Sequence, residues 1–598
     1  MPSQPAPAAL ADTDARDTDA RARWALRGVA REEVSALVRA LGVDELTALL
    51  LLGRGHKDHA AAREHLHPEL KRLHDPFLLP GMRAATERIA RALERGETIL
   101  VHGDYDVDGV TGTALLVRLF RLLGARAEWH IPSRLVDGYS FGPHSVERAR
   151  AVGATLVISV DNGTSAARTI AELAAHGIDT IVTDHHEPPQ GELPRAAAIV
   201  NPKLDGARYP FRELCGGAVA FKLAWGICQD VTGEARVRDD LRAFLIDAMS
   251  YVAIATVCDV VPLVGENRIL ARYGLKALSA TRDHGLSALL AVARLSGRLC
   301  AEDVGYQIGP RINASGRLGT AHSAVELLLA RDPGAALALA RELDDLNHER
   351  RAIERTLFEQ ALEAARPFAD PGRFPVLVVA GEGWHQGVVG IVAARLVERF
   401  GRPALVVGLD GETGRGSARS VPGFSILDAM HGGAEHMLRY GGHAQAAGCE
   451  IRADRVDALR DAVCARAREQ LAETPLPARE LRIDARVPLA RMNPTTMGLI
   501  ERLEPFGERN EKPVLLASDV RLGEEPRLVG REDAHLLLRL RSGECVHKAM
   551  GFGLGGRASE LRMGAPLHVV YTPRWNTFRG ETRLELELLD FRVGECPV

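Results

Sequence analysis

Acidic residues crowd one short stretch of the chain. In HGDYDVDGVTG at 102–112, Asp104, Asp106 and Asp108 alternate, so on extended backbone their carboxylates face one way. Three like charges at that spacing repel unless a cation lies among them. Taken alone, such a stretch is more simply a solvated turn in which each Asp caps something. A calcium loop would need Glu at the twelfth position from Asp104, and that residue is Leu115. Further acids shift the weighing. Asp161 closes TLVISVDNG, Asp184-His185-His186 closes DTIVTDHH, and Asp259 follows the apolar IATVC run. Carboxylates joined by imidazole suit a hard-to-borderline divalent ion, Mn²⁺ or Mg²⁺. A carboxylate shared by two ions about 4 Å apart would make a centre that activates water and stabilises both oxygens of a phosphoryl displacement. No Walker A motif is present, which removes the main support for nucleotide-driven phosphoryl transfer. Paired carboxylates for glycosidic chemistry would not need the His pair.

Such acids work together only if they share one end of one scaffold. TILVHGDYD (98–106), AEWHIPSR (127–134), TLVISVDNG (155–163), DTIVTDHH (179–186) and AAIVNP (197–202) read as strands. TGTALLVRLFRLLG and AARTIAELAAHG between them read as helices. The alternation predicts an α/β fold with a doubly wound parallel sheet, whose ligands bind beyond the carboxyl ends of the strands. Around it we expect a disordered Ala/Pro/Asp-rich tail over 1–20, a helical segment over 21–95 and an acidic lobe over 96–265. From 240 to 330 the pattern is mostly helical, interrupted by CDVVPL and GYQIGPRINASGRLG, and a helical extension is expected over 266–334. A long charged helix over 335–366, bounded by Pro333-Gly334 and Pro367, would carry an apolar seam of Leu339, Leu343, Leu346, Ile353 and Leu357. At about 1.5 Å per residue it would be a strut between two lobes. A second α/β lobe follows over 367–475. Short strands over 476–598 then fit a small Greek-key barrel of the oligonucleotide/oligosaccharide-binding (OB) type.

The chain has 598 residues and a net charge of −4, which excludes a uniformly basic binder but not a local basic groove. Only seven of its 75 basic residues are Lys, so Arg alone does not signal phosphate binding. Its eight Cys form no CxxC pair, which speaks against a zinc ribbon and suits a reducing cytoplasm. No apolar run approaches the roughly 18 residues of a membrane helix, and no secretory signal is visible. The expectation is a cytoplasmic chain without a membrane partner.

GDYDVDG, VDNG, TDHH and CDVVPL, in that order at strand ends, resemble the motifs of the DHH phosphoesterase superfamily. GWHQGVVGIVAARL (383–396), GSARS (416–420) and YGGHAQAAG (440–448) resemble the associated DHHA1 domain. The barrel, preceded by LEPFGERNEKPV (503–514), is similar to the RecJ family of single-strand-specific 5′→3′ exonucleases. The resemblance implies a metal-dependent enzyme that degrades single-stranded DNA to 5′-mononucleotides in DNA repair and recombination, using two Mn²⁺ or Mg²⁺ ions. It implies Asp106, Asp108, Asp161, His185 and Asp259 as metal ligands and Asp104 as a ligand or its support. His186 would meet substrate phosphate or a second ion, and Asp184 would orient its neighbouring His.

Substrate contacts are expected in motif-like loops: Arg134, Arg311 and Asn313 (with Ser315 and Arg317), Ser417, Arg419, and the Gly441-Gly442-His443 turn. In so Arg-rich a chain, each Arg is as readily a salt bridge. Tyr139 is placed to stack on a terminal base, though a core tyrosine is the default. Phe552, Trp575 and Phe578 would be barrel stacking platforms, with Arg574 and Arg579 on phosphates; the barrel core is an equal home for Phe552 and Trp575. Single-strand-binding protein and a recombination helicase are partners by resemblance alone. A monomer is expected because the lobes complete the site within one chain. The rival readings are a phosphodiesterase on short oligoribonucleotides or cyclic dinucleotides, a weaker inorganic pyrophosphatase, and a DNA-binding scaffold that does not cut. The barrel argues against the first two and the intact acids against the last.

Overall fold

The computed structural model describes residues 22–133, 137, 141–233, 237–476, 480–578 and 581–598. Five strands, Thr98–Gly103, Arg126–His130, Leu156–Val160, Asp179–Thr183 and Ala198–Val200, form an all-parallel sheet. Their spatial order is second, first, third, fourth, fifth. Leu156–Val160 is buried at every position, as a strand covered on both faces requires. The winding reverses between the first and third strands. Their carboxyl ends therefore flank the crevice where doubly wound sheets bind ligands. The helices Val107–Leu122, Gly216–Thr232 and Asp239–Cys258 pack against one another beside this sheet. Asp239–Cys258 is long and apolar enough to cross a membrane, but most of it is buried within the protein.

The expected helical segment over 21–95 is not one body. Arg23–Leu26 is a strand, parallel to Glu480–Ile483. The helices Arg31–Leu41, Glu45–Gly53 and His59–Leu66 place Leu37, Leu50 and Leu51 in one apolar core with Leu515, Leu536 and Tyr571 of the barrel. The helix Met82–Arg95 belongs with the parallel sheet, where Arg88 donates to Asp179 at 2.6 Å and Glu97 at 2.7 Å. Helical periodicity shows that a face must be covered but not by what, so it could not separate these helices. Two compact units result. One comprises Met1–Arg72, Pro262–Ile269 and Ala478–Val598, the other Leu73–Val261 and Leu270–Pro477.

The barrel strands Leu515–Leu522, His535–Ser542, Cys545–Gly551, Leu567–Phe578 and Glu581–Val593 close into a ring. The first pairs with the second and fourth, the second with the third, and the fourth with the fifth, all antiparallel; the third and fifth are parallel. In the other unit a mixed five-stranded sheet contains Leu377–Glu382, Ala404–Asp410, Thr413–Arg419, Met437–Gly442 and Ala446–Arg452. The long helix runs Pro333–Ala365, with Asp332 accepting from the Ala335 amide at 2.8 Å. Pro333 therefore opens the helix instead of bounding it, because the first turn does not use the missing N–H. Leu343 and Leu357 are buried as expected. Leu339, Leu346 and Ile353 are only half-buried, and Ala336, Ala340, Asn347, Arg350, Phe358, Ala361 and Ala365 complete the buried stripe.

Candidate active site

At the end of Thr98–Gly103 the chain turns through Asp104 into the helix Val107–Leu122. Asp106 caps that helix, accepting from the amides of Asp108 at 3.0 Å and Gly109 at 3.2 Å. Asp108 lies buried in the first turn and reaches a second helix start. Its Oδ2 accepts from the Gly216 amide at 2.6 Å and its Oδ1 from the Gly217 amide at 2.7 Å. Neither glycine tolerates a side chain in place. A Cβ on Gly216 would lie 2.6 Å from Asp161 Cβ, and one on Gly217 would lie 2.9 Å from Ala255 Cβ. The acidic motifs did not reveal this glycine pair, which holds the Asp108 carboxylate and leaves room for Asp161.

Asp161 follows its strand at φ 63°, a left-handed conformation that Asp tolerates better than most residues. Val260, directly after Asp259, has φ 57°, which is strained for a β-branched residue. His185 Nε2 lies among three acids: 3.1 Å from Asp161 Oδ1, 3.6 Å from Asp259 Oδ2 and 3.8 Å from Asp108 Oδ2. Asp184 is spent elsewhere. Its Oδ2 accepts from the Thr164 amide at 2.9 Å. Its Oδ1 accepts from the amides of His185 and His186 and takes the His186 Nδ1 at 2.7 Å.

Electrostatics separate these groups. Burial, followed by the charges of Asp108 and Asp106, pushes Asp161 well up and Asp259 up to about 9. Burial also raises Asp108, against the pull of His185 and the two glycine amides. Burial works to raise Asp184 too, but the hydrogen bonds and charge of His186 prevail and hold it well below the usual carboxylate range. The hydrogen bond to Asp184 in turn raises His186 to about 9. His185 is lowered by burial.

The donor set fits divalent cations. Asp161 Oδ1 and Asp259 Oδ2 are buried and accept no hydrogen bond. Ligand atoms of Asp104, Asp106 and Asp161 lie within 4.8 Å of one another, as do those of Asp161, His185 and His186, and those of Asp108, His185 and Asp259. Overlapping sets that share Asp161 and His185, mostly oxygen with some imidazole nitrogen, suit a pair of Mn²⁺ or Mg²⁺ ions.

The other expected residues are distributed differently. GPRINASGR is not a loop. A π-helical turn, Val304–Ile308, leads into the α-helix Gly309–Leu318, with Pro310 tolerated in its first turn. Arg311 on this helix is buried and committed to Asp344, its Nε donating at 2.9 Å, and to the Gln307 carbonyl at 2.6 Å. Asn313 faces the acidic loop, accepting from the Val107 amide at 3.1 Å. Ser315 donates to the Ile312 carbonyl at 2.9 Å, and Arg317 to the Gly387 carbonyl at 3.3 Å. Ser417 and Arg419 lie on the strand Thr413–Arg419, where Arg419 donates to Ser417 Oγ at 3.0 Å. Gly441, Gly442 and His443 form an exposed hairpin tip, closed by the His443 amide on the Ala446 carbonyl at 2.8 Å. In the barrel unit, Trp575 is 38% exposed and its Nε1 donates to Glu501 at 2.6 Å. Phe552 is half-buried beside His535, and Arg574 pairs with Glu585 and Glu587. Arg134, Tyr139, Arg579 and the side chain of Phe578 lie outside the described residues.

Comparison with known proteins agrees with this architecture. The DHH family N-terminal domain matches residues 98–254, the DHHA1 domain 373–469 and the RecJ OB domain 483–590. The single-stranded-DNA-specific exonuclease RecJ of Bacillus subtilis is 34% identical over 577 residues, covering 96% of this chain and 71% of that protein. The Escherichia coli protein of the same name is 34% identical, covering 85% of this chain and 89% of its own. The crystal structure of RecJ from Thermus thermophilus with Mn²⁺ superposes with a TM-score of 0.80 at 31% identity, covering 97% of this chain and 81% of the other. The Mg²⁺ complex from that organism gives 0.75 at 30% identity, covering 96% and 79%.

Proposed function

The chain belongs to the RecJ family, and we propose that it is a metal-dependent exonuclease that degrades single-stranded DNA from the 5′ end to 5′-mononucleotides. One observation carries the reading: the buried, hydrogen-bond-poor oxygens of Asp161 and Asp259 converge with Asp108 and His185 at the switch point of the sheet. When bound, Mn²⁺ or Mg²⁺ supplies the charge that polarises a phosphodiester and acidifies water. Asp104, Asp106, Asp108, Asp161, His185 and Asp259 would hold the ions. Asp184 keeps His186 cationic through Nδ1, which leaves its Nε2–H to donate to a phosphate oxygen. No covalent protein nucleophile is required; burial pushes the Cys215 and Cys258 thiols well up.

Ser417 and Arg419 are the proposed holders of the 5′ phosphate, with the Gly441-Gly442-His443 tip on the following linkages. The barrel is the surface for the rest of the strand, and Trp575 is an aromatic exposed on it. A role in repair and recombination, a cytoplasmic setting, single-strand-binding protein and a helicase as partners, and a monomeric state all extend the same proposal. Free cysteines throughout the described residues support the reducing compartment. A small substrate such as a cyclic dinucleotide does not require the barrel, which favours the longer strand.

The test uses a 5′-phosphorylated single-stranded oligonucleotide labelled at its 3′ end, with Mn²⁺. Progressively shorter labelled fragments are expected, absent with EDTA and absent on blunt duplex. Asp161→Ala should abolish cleavage while largely preserving DNA binding. Turnover by that variant, free of wild-type enzyme, would remove the carboxylate site from the mechanism. Intact DNA alongside hydrolysed dinucleotide RNA would move the assignment to small substrates.

A further inference from the structure

A second cluster of metal-ligating side chains lies outside the carboxylate centre. His102 is on the first strand of the parallel sheet, His130 ends the strand beside it, and His144 is in the first turn of the helix Pro143–Ala151. One nitrogen from each lies within 4.8 Å of the others. The ring centroids are 5.2 Å apart for His102–His130, 5.5 Å for His130–His144 and 5.9 Å for His102–His144. With metal–nitrogen bonds of about 2.1 Å, three imidazoles around one tetrahedral ion place their centroids about 5 Å apart. The observed triangle is already close to that arrangement.

Two of the three rings carry a buried nitrogen without a hydrogen-bond partner. His102 is fully buried, and its Nδ1 has no hydrogen-bond partner. The Nε2 of His130 is buried and without a partner as well. A buried polar atom without a partner costs free energy, and two such nitrogens in one three-histidine cluster leave room for a shared ligand. His102 Nε2 lies 2.9 Å from Ser145 Oγ, the kind of outer hydrogen bond that fixes a ligating ring. His130 and His144 are each half-buried as whole residues.

We propose that His102, His130 and His144 form a second metal site, for a borderline divalent ion of the Zn²⁺ class, which ties the strand leading into the acidic loop to the adjoining strand and helix. All three protein donors are imidazole nitrogens, whereas the catalytic set is mostly carboxylate oxygen. Nitrogen-only donors favour Zn²⁺ and Co²⁺ over Mg²⁺ and Mn²⁺, so the two centres would sort ions by chemistry. With three protein ligands, the fourth position is left to water.

Co²⁺ is the probe, because four-coordinate Co²⁺ absorbs visible light far more strongly than six-coordinate Co²⁺. The full chain carrying Asp161→Ala and Asp259→Ala, with its oxygen-rich centre disabled, should still bind one equivalent of Co²⁺ with intense bands. Adding His130→Gln or His144→Gln should abolish them. As a second measurement, wild-type protein dialysed with excess Mg²⁺ and trace Zn²⁺ should retain one equivalent of zinc by elemental analysis. The two His variants should retain less than about a tenth of that. The proposal is overturned if the disabled variant gives no intense bands, if the His substitutions leave the bands unchanged, or if wild-type protein under excess Mg²⁺ keeps no zinc. Because the readouts are metal content and spectrum, failure here leaves the exonuclease reading standing.

Discussion

Asp259 and Asp161 are held far above the usual carboxylate range because burial and neighbouring acids penalise their ionised forms. Asp259, at about 9 in the fold against an ordinary 3.8, binds more proton folded than unfolded between those values. In that window the stability of metal-free protein falls as pH rises. A divalent cation reverses the penalty by favouring the ionised carboxylates. The rise in melting temperature on adding Mn²⁺ should therefore be larger at about pH 8.5 than at about pH 6. A gain independent of pH would mean that the acids are already ionised without metal. At the same scale, Gly216→Ala forces a methyl against Asp161 and should raise the Mn²⁺ concentration for half-maximal activity by about tenfold or more. The cost to folding should be about 1–3 kcal/mol, read by urea titration. The acids were legible in the sequence because ionisable side chains at short local spacing stand out in it. Gly216 and Gly217 were not, because they contribute backbone amides and empty space.

One helix, Gly309–Leu318, braces the acidic loop and also contacts the DHHA1 region. Asn313 accepts from Val107, and a Cβ on Gly316 would lie 2.6 Å from the Tyr105 carbonyl, so helix and loop are in close backbone contact. Farther along, Arg317 donates to the Gly387 carbonyl. Asn313→Ala leaves the Val107 amide without its acceptor and should cost about 1–3 kcal/mol, with kcat reduced more than KM is raised. An unchanged kcat would show that the loop holds its shape unaided. Arg311, expected on phosphate, is held instead by Asp344 of the long helix. Asp344→Ala should destabilise the fold by about 1–3 kcal/mol, less than a fully buried pair would cost because Asp344 is partly exposed. If Arg311 acts only as a tie, Arg311→Ala should lower the melting temperature while leaving the preference for a 5′ phosphate intact. Arg419→Ala should weaken that preference. The sequence located this element but misread its form. Gly309, Pro310 and Gly316 look like loop residues, whereas the proline sits in a first turn and the glycines permit close packing against Cys258 and Tyr105.

At the scale of the whole molecule, the doubly wound parallel sheet and the barrel were legible from strands and turns, and the strand order and the composition of the barrel unit were not. Periodicity marks an apolar face on Glu45–Gly53 but cannot say that its partner lies more than four hundred residues away, at Leu515 and Leu536. The unit is drawn from three stretches of chain, and Arg268 in the middle stretch joins the other two. Its side chain is almost wholly buried. Nε donates to the His65 carbonyl at 2.8 Å, Nη1 to Leu503 at 2.7 Å and Nη2 to Arg502 at 3.3 Å. Leu263 adds a backbone bond to Glu508 at 2.8 Å. A guanidinium spreads donors over a planar fork that reaches three carbonyls; a Lys ammonium has three donors but at one compact centre, and Met has none. Arg268→Met fills similar volume but leaves those carbonyls short of donors inside the core. It should cost about 3 kcal/mol or more, reduced somewhat because Asn510 also donates to Leu503. Arg268→Lys should recover only part of the loss. Limited proteolysis reads the effect by location: both variants should be cut faster within residues 22–72 and 478–598, while fragments from 73–261 and 270–477 stay protected. Equal protection of both units in Arg268→Met would mean that the barrel unit holds together without this residue.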